Sequence, residues 1–371
     1  MNILHVLFSR GWGGMERYAL EQARRMAAKG HGITFISRAG APLSKALRAE
    51  TGFKTLELDP VKYVDVGAML AIRSIVKNSG VNVVHAHTSA DLGLIVPALW
   101  GLGGVRLVFS NYMLVPAPKK DIYHRLEYGR VDALLAASEY IRKNAVEYLP
   151  VAPEKTVTLP YGLDLARFNP ESVKKGALRE KYGIGAAKLI GVISRLEPLK
   201  GQMEMIEAMP AILNSHPESM LVLTGDETPE LAGQYRHVLE AKVDELGVGE
   251  RVLFTGATDD TAAVLADLDI YVLPSHGETF SLGCLEAMAM GKAVVGTNSG
   301  GTPEMLDNGG CGLLAEPKDP GSLAKPVIKL LDGPALAADL SAKARRKVVG
   351  AHGMEPVMDR LSAIYEGRFN N

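Results

Sequence analysis

Residues 189–201 read Leu189-Ile190-Gly191-Val192-Ile193-Ser194-Arg195-Leu196-Glu197-Pro198-Leu199-Lys200-Gly201, and apolar residues at helical spacing follow over 202–213. A short β-rich run, a loop and an amphipathic helix make one βα unit. The same order opens the chain, where a strand over 3–8 precedes a glycine-bearing loop and a helix over 16–29 that stops at Gly30. The pattern therefore starts twice. Between the two starts, strands are expected at 33–37, 81–86, 106–110, 133–137 and 156–159, with helices near 66–77, 91–102, 120–130 and 138–148. After the second start come strands at 220–224, 251–255, 270–274 and 293–296, with helices near 229–246 and 282–290. Strand–helix alternation with short loops signals parallel sheets covered on both faces. Two such series imply two doubly wound, Rossmann-like α/β domains. The Pro/Gly-bearing stretch 160–185 holds the boundary, which divides the chain into 1–165, 166–350 and a tail over 351–371. A last helical pattern over 336–366 is read as returning to the first domain.

Composition bounds the function. A chain of 371 residues suits two cores better than one. Hydrophobic residues make up 47% and charged residues 22%, and 41 basic side chains against 42 acidic ones leave a net charge of −1. That balance excludes wholesale attraction to nucleic acid, so any anion site must come from local placement of charge. Cys284 and Cys311 lack metal-ligand spacing, and a disulfide framework is not expected. The start Met1-Asn2-Ile3-Leu4-His5-Val6-Leu7-Phe8 reads as a strand rather than a signal peptide. No apolar run reaches the length of a membrane span. A cytoplasmic enzyme is expected, with contact at a bilayer's inner face left open.

In open α/β sheets ligands bind beyond the carboxyl ends of the strands, so the loops after strands carry the function. The first is Ser9-Arg10-Gly11-Trp12-Gly13-Gly14-Met15-Glu16. Its glycines permit close backbone approach, and the following helix start favours an anion. A tight turn without ligand reads equally well from this loop alone. It is a poor dinucleotide fingerprint, because Glu16 occupies the third glycine's place and no acidic residue follows the second strand. No P-loop sequence is present.

Arg195 and Lys200 stand just past a strand's carboxyl end. Arg can fork onto two phosphate oxygens and Lys supplies a mobile point charge, which suits a diphosphate. Two solvated loop charges are the bland alternative. Further on, Glu278 and Glu286 are separated by seven residues, a spacing that Glu139 and Glu147 share by accident. Context distinguishes the later pair. Glu278 falls in a loop after a strand, Ser281 is an N-cap candidate, and Glu286 sits among Leu285, Ala287, Met288 and Ala289, where a carboxylate needs a partner. Amides of Phe280, Ser281 and Leu282 are expected to face an anion at the helix start. Carboxylates accept paired hydrogen bonds, which suits vicinal diols.

Together these pieces resemble the family 4 glycosyltransferases, retaining enzymes of the GT-B fold, over nearly the whole chain. The resemblance rests on Gly13-Gly14-Met15-Glu16-Arg17, His85-Ala86-His87, Pro160-Tyr161-Gly162-Leu163-Asp164 with Arg167-Phe168, and Arg195 to Lys200-Gly201. It continues through Thr224-Gly225-Asp226, Asp267-Leu268-Asp269-Ile270-Tyr271-Val272-Leu273-Pro274-Ser275, the Glu278/Glu286 stretch, Gly300-Gly301-Thr302-Pro303-Glu304 and Gly312-Leu313-Leu314. It implies two domains facing a central cleft, the first on the acceptor side and the second binding the nucleotide-sugar donor. By position, Gly13 and Gly14 would lie near the diphosphate and transferring sugar. Arg195 and Lys200 would hold the diphosphate, and Glu286 the ribose diol. Glu278 would bind the donor sugar, with the backbone of Thr279, Phe280, Ser281 and Leu282 around sugar and phosphate. His87 matches the histidine beside the donor sugar; a capping histidine at a strand end is its simpler reading. Many relatives carry glycine where Ser281 stands and asparagine where Tyr161 stands.

The family reading is a front-face displacement with retention, in which the departing diphosphate oxygen takes the acceptor's proton. Side chains and helix amides would stabilise the leaving group, so neither metal nor cofactor is required and the nucleotide sugar is a co-substrate. No Asp-x-Asp metal motif lies in a suitable loop. Closure of the domains would exclude water. The acceptor is a saccharide or glycolipid, and the setting cell-envelope polysaccharide or lipopolysaccharide assembly. Within 116–130, Lys119, Lys120, His124, Arg125 and Arg130 surround Tyr123 and Tyr128; this is either a solvated helix face or a surface for an anionic lipid or phosphorylated saccharide. Rival readings are a nucleotide-sugar epimerase or hydrolase of the same fold, a non-catalytic nucleotide-sugar-binding protein, and a nicotinamide dehydrogenase, which the incomplete fingerprint disfavours.

Overall fold

A computed structural model of the chain describes residues 1–61, 65–227 and 233–368. Its contacts separate two compact units, one formed by Met1–Tyr161 with Glu355–Asn371, the other by Gly162–Met354.

Among the described residues, the first unit carries a seven-stranded sheet. Its strands are β1 (Asn2–Leu7), β2 (Gly32–Arg38), β3 (Phe53–Leu58), β4 (Val83–Ala86), β5 (Arg106–Asn111), β6 (Ala133–Ala136) and β7 (Thr156–Thr158). The order is β3-β2-β1-β4-β5-β6-β7, and every pairing is parallel. The second unit carries six strands: β8 (Leu189–Ile193), β9 (Met220–Thr224), β10 (Val252–Gly256), β11 (Ile270–Leu273), β12 (Ala293–Thr297) and β13 (Leu313–Ala315). Their order is β10-β9-β8-β11-β12-β13, again parallel throughout. Central strands such as β4, β6, β11 and β12 are buried at every residue, which is why they read as unbroken apolar runs. Each sheet reverses its strand order once, between β1 and β4 and between β8 and β11. A doubly wound sheet opens its ligand crevice at such a reversal.

The sequence expectation missed β3 and β13. β3 pairs only with β2 and is largely uncovered, so its Phe53-Lys54-Thr55-Leu56-Glu57-Leu58 shows no continuous apolar run. β13 has only three residues. Helices Pro42–Arg48, Ala177–Tyr182, Thr261–Asp267 and Pro320–Asp332 also went unread. The last carries Pro326 in its interior, which argues against a helix on local grounds. The helix expected near 229–246 is Gln234–Glu245; the beginning of that stretch lies outside the described residues. The single helix expected over 336–366 is two, Pro334–Ala351 and Met354–Tyr365. The break has a tertiary cause. Leu163 donates its amide to the His352 carbonyl at 2.7 Å and accepts from the Met354 amide at 3.0 Å. The segments entering and leaving the second unit thus pair as a short parallel bridge, which a continuous helix cannot make.

Cys284 and Cys311 are both buried free thiols. No helix among the described residues is long and apolar enough to cross a membrane.

Helix Ala177–Tyr182 is capped from outside its own sequence. The buried Asp267 carboxylate accepts from the amides of Gly176, Leu178 and Arg179 at 2.5, 2.8 and 3.3 Å. Asp267→Ala should leave these amides unpaired and cost about 1–3 kcal/mol. Thermal unfolding of the variant checks this, and Asp267→Asn should lose less.

Candidate functional site

The loop after β8 is held from behind. Gln202, fully buried, donates through Nε2 to Ser194 Oγ at 2.9 Å and to the Arg195 carbonyl at 2.7 Å. Arg195 stands with its side chain largely exposed, its guanidinium 3.1 Å from Glu197 Oε1. Lys200 ends the short turn Pro198–Lys200, and Gly201 follows at φ 71°. A Cβ on Gly201 would lie 2.1 Å from the Pro274 carbonyl, so only glycine lets this loop press against the end of β11.

That approach brings Lys200 to Glu278. Its Nζ lies 2.7 Å from Glu278 Oε2, with side chains 22% and 12% exposed. Two charges 78 positions apart in sequence thus meet beside the strand reversal. Glu278 is fixed through its backbone. Its carbonyl accepts from the Gly301 amide at 2.7 Å, and Gly300 (φ 62°) packs so closely that a Cβ would sit 2.0 Å from the same carbonyl oxygen. The Gly300-Gly301 pair after β12 therefore shapes the Glu278 turn. A Gly-Gly dipeptide following a strand was the available signal, and its partner could not be read without the fold.

Ser281 caps helix Leu282–Ala289, accepting from the Cys284 amide at 3.2 Å. The Leu282 and Gly283 amides remain at the open end of the helix. The amide of Ser281 points elsewhere, at Met305 Sδ 3.4 Å away, which corrects the expectation that it faces an anion alongside its neighbours. A Cβ on Gly283 would lie 3.2 Å from the Ile193 carbonyl and 2.9 Å from the Tyr271 hydroxyl. The helix start thus sits directly over the ends of β8 and β11, two residues before Arg195. Glu286, on the next turn, accepts from Thr261 Oγ1 at 2.9 Å, the partner its apolar surroundings demanded.

In the first unit the glycine loop is occupied by its own carboxylate. Buried Glu16 accepts from the Gly13 amide at 2.8 Å and from Ser9 Oγ at 2.5 Å. Gly13 with Glu16 forms one half of a helix-capping arrangement that the dinucleotide comparison concealed. Gly14 opens the helix Gly14–Ala28 itself.

His87 lies in the core beside β4 rather than at an open surface, with 1% exposure. Its Nε2 is 3.0 Å from His5 Nδ1, and its Nδ1 is 3.1 Å from the Tyr112 hydroxyl. His85 spends both ring nitrogens on Tyr365 and Ser110, at 2.6 and 2.8 Å. Ligand atoms of His5, His85 and His87 lie within 4.8 Å of one another, and His5 Nε2 is buried with no hydrogen-bond partner among the described residues. Burial pushes the His5 imidazole down to about 3, and burial with neighbouring histidines holds His85 and His87 well below the usual range, so the cluster is neutral at physiological pH.

A profile for glycosyl transferases group 1 matches residues 174–347, and one for glycosyltransferase family 4 matches residues 12–167. The chain belongs to the family 4 glycosyltransferases of the GT-B fold. This glycosyltransferase is 26% identical to the GDP-mannose-dependent alpha-(1-6)-phosphatidylinositol monomannoside mannosyltransferase of Mycobacterium tuberculosis, over 96% of its own chain and 95% of the relative. It is 24% identical to the UDP-Gal:alpha-D-GlcNAc-diphosphoundecaprenol alpha-1,3-galactosyltransferase of Escherichia coli, over 98% and 96% of the two chains. Among solved structures, a glycosyltransferase of Rickettsia africae superposes with a TM-score of 0.88 at 21% identity, covering 100% of this chain and 99% of that one. HepE of Anabaena in complex with UDP gives 0.84 at 20% identity, covering 99% and 100%. The protein is a nucleotide-sugar-dependent hexosyltransferase.

One buried acid of the glycosyltransferase escaped the sequence reading. Asp91, in the first turn of helix Ser89–Ala98, lies beside the Phe8 backbone where the glycine loop begins. Burial pushes its carboxyl up to about 7, and hydrogen bonds to Thr88 and Phe8 offset this only in part. Because the folded chain holds this proton more tightly than the unfolded chain does, stability falls as pH rises from about 4 to about 7 and the contribution is flat above that. Thermal unfolding midpoints across that window should show Asp91→Asn gaining on the wild type as pH rises.

Proposed function

We propose that this glycosyltransferase moves a hexose, with retention, from a UDP- or GDP-linked donor to a saccharide or glycolipid acceptor in cell-envelope polysaccharide or lipopolysaccharide assembly. The observation that carries the reading is the meeting of Lys200 and Glu278 at 2.7 Å, beside the reversal of the second sheet and under an open helix start. A diphosphate competes for the Lys200 ammonium, and sugar hydroxyls donate to the Glu278 carboxylate it leaves. Arg195 adds a second cation, exposed and two residues beyond β8. Glu286 accepts from the ribose diol, exchanging its Thr261 contact. The backbone of Thr279, Phe280 and Leu282 surrounds the phosphate and sugar. His87, expected beside the donor sugar, instead spends both ring nitrogens on His5 and Tyr112 inside the first unit.

The bond from the anomeric carbon to the phosphate oxygen breaks, and the acceptor oxygen bonds to the same face. The acceptor's proton passes to the departing phosphate oxygen, giving a nucleoside diphosphate. Lys200, Arg195 and the Leu282 and Gly283 amides stabilise the negative charge that grows there. These groups replace a metal ion, and the reaction uses no cofactor. The named relatives support a nucleotide-sugar donor and a lipid-linked acceptor, and HepE was solved with UDP and with UDP-glucose. A cytoplasmic enzyme in peripheral contact with the membrane's inner face fits such acceptors.

Binding measurements with UDP-, GDP- and ADP-sugars should single out one base. Lys200→Ala and Glu286→Ala should each lower donor affinity or turnover at least tenfold, about 1.4 kcal/mol. Wild-type kinetics in both variants would mean that the donor lies elsewhere. Turnover should survive a chelator of divalent metals, and the product should be a glycosylated acceptor; free sugar or an epimer would favour a hydrolase or epimerase of the same fold.

A further inference from the structure

The glycine loop after β1 displays a tryptophan. Trp12 follows the strand beside which the first sheet reverses its order, and 37% of it stays open to solvent. An indole is among the largest apolar side chains, and leaving it in water forgoes a large burial gain. The display is not slack in the loop. Ser9 Oγ accepts from the Gly11 amide at 3.1 Å and donates to Glu16 Oε1 at 2.5 Å, while Glu16 Oε2 accepts from the Gly13 amide at 2.8 Å. Both neighbours of Trp12 are thus tied to one buried carboxylate, Gly13 directly and Gly11 through Ser9. Arg17, in the first turn of helix Gly14–Ala28, places its guanidinium 5.5 Å from the centre of the indole ring and backs it.

Charge selects what lies on the ring. Arg10, two residues ahead, is exposed and forms no ion pair among the described residues. The acids nearest the loop are committed. Glu16 serves the loop itself, Asp59 pairs with Arg38, and Asp91 is buried beside the Phe8 backbone. The loop therefore offers a fixed aromatic plane next to an unpaired guanidinium. The apolar face of a sugar ring stacks on an indole, and a guanidinium forks onto phosphate oxygens. A neutral saccharide would leave Arg10 unused, and a free anion would leave Trp12 unused. A saccharide that carries a phosphate uses both.

We infer that Trp12 and Arg10 bind the acceptor, the indole under its sugar ring and the guanidinium on a phosphate attached to it, so that the acceptor class is a phosphorylated saccharide. Calling this ligand the acceptor rests on the transferase reading above. Trp12 and Trp100 are the two tryptophans of the chain, so Trp100→Phe in the full chain makes Trp12 the single emitter. The 1-phosphates of glucose, mannose and N-acetylglucosamine are the probes, each against its methyl glycoside. At least one should shift the Trp12 emission and bind on the order of tenfold more tightly than the matching glycoside. Trp12→Ala should weaken that binding, read by calorimetry, at least about tenfold, and Trp12→Phe should restore most of it. Arg10→Ala should bring the sugar phosphate down to the affinity of its glycoside and leave the glycoside unchanged. Binding of UDP and GDP should stay at the wild-type level in every variant, which also controls for folding. The inference is overturned if no sugar phosphate moves the emission or if inorganic phosphate binds as tightly as the sugar phosphates. It is equally overturned if UDP or GDP binding falls in Trp12→Ala or Arg10→Ala, which would give the ring or the cation to the donor. Sugar-phosphate binding in a wild type that takes up neither UDP nor GDP would remove the donor reading and leave this site standing.

Discussion

The contact of Lys200 with Glu278 depends on two backbones packed closer than any side chain allows. Gly201 lies against the Pro274 carbonyl, and Gly300 with Gly301 lies against those of Glu278 and Thr279. Remove either freedom and the loops after β8, β11 and β12 move apart. The charges follow from the backbone, because Lys200 is the last residue before Gly201 and Glu278 is the residue that Gly301 holds. A cation and a carboxylate so placed neutralise one another while staying partly open to solvent. Neither bears the full cost of burial, and both remain available to a ligand that offers phosphate to one and hydroxyls to the other.

The two units use their strand reversals differently. In the second, the loops at the reversal present charged side chains and an open helix start. In the first, the corresponding loops turn inward. Glu16 satisfies the glycine loop, Asp91 is buried beneath it, and His87 joins His5, His85, Tyr112 and Tyr365 in a hydrogen-bonded core. That contrast agrees with a transferase whose donor charge is handled largely by one unit. Polarity in the first unit is turned inward rather than displayed, and His5 Nε2, Asp91 Oδ2 and Asn111 Nδ2 are buried there without a hydrogen-bond partner among the described residues.

The outward side of the first unit shows the opposite economy. Helix Ile122–Gly129 leaves Ile122 and Leu126 in water while Tyr128 fills the core. Sequence alone left this stretch between a solvated face and a surface for lipid or saccharide, because the charges and the aromatics were interleaved. Which residues face outward depends on helix phase, and Tyr128 packing against Phe109 sets that phase.

The sequence determined two parallel-sheet domains, because buried parallel strands must read as apolar runs and βα alternation leaves little else. It also singled out Arg195, Lys200, Glu278 and Glu286, since cations past a strand end and a glutamate in an apolar helix need explaining, but the meeting of Lys200 with Glu278 came only with the packed sheet. It did not determine the edge strand β3, whose half-exposed side chains carry no strong period, or the break at His352, which Leu163 imposes from 189 positions away. Nor could it show that Glu16 folds back onto Gly13, that Thr261 meets Glu286, or that His87 is enclosed. Those pairings join segments whose separation along the chain says nothing about their distance in space, and only the packed sheets bring them together.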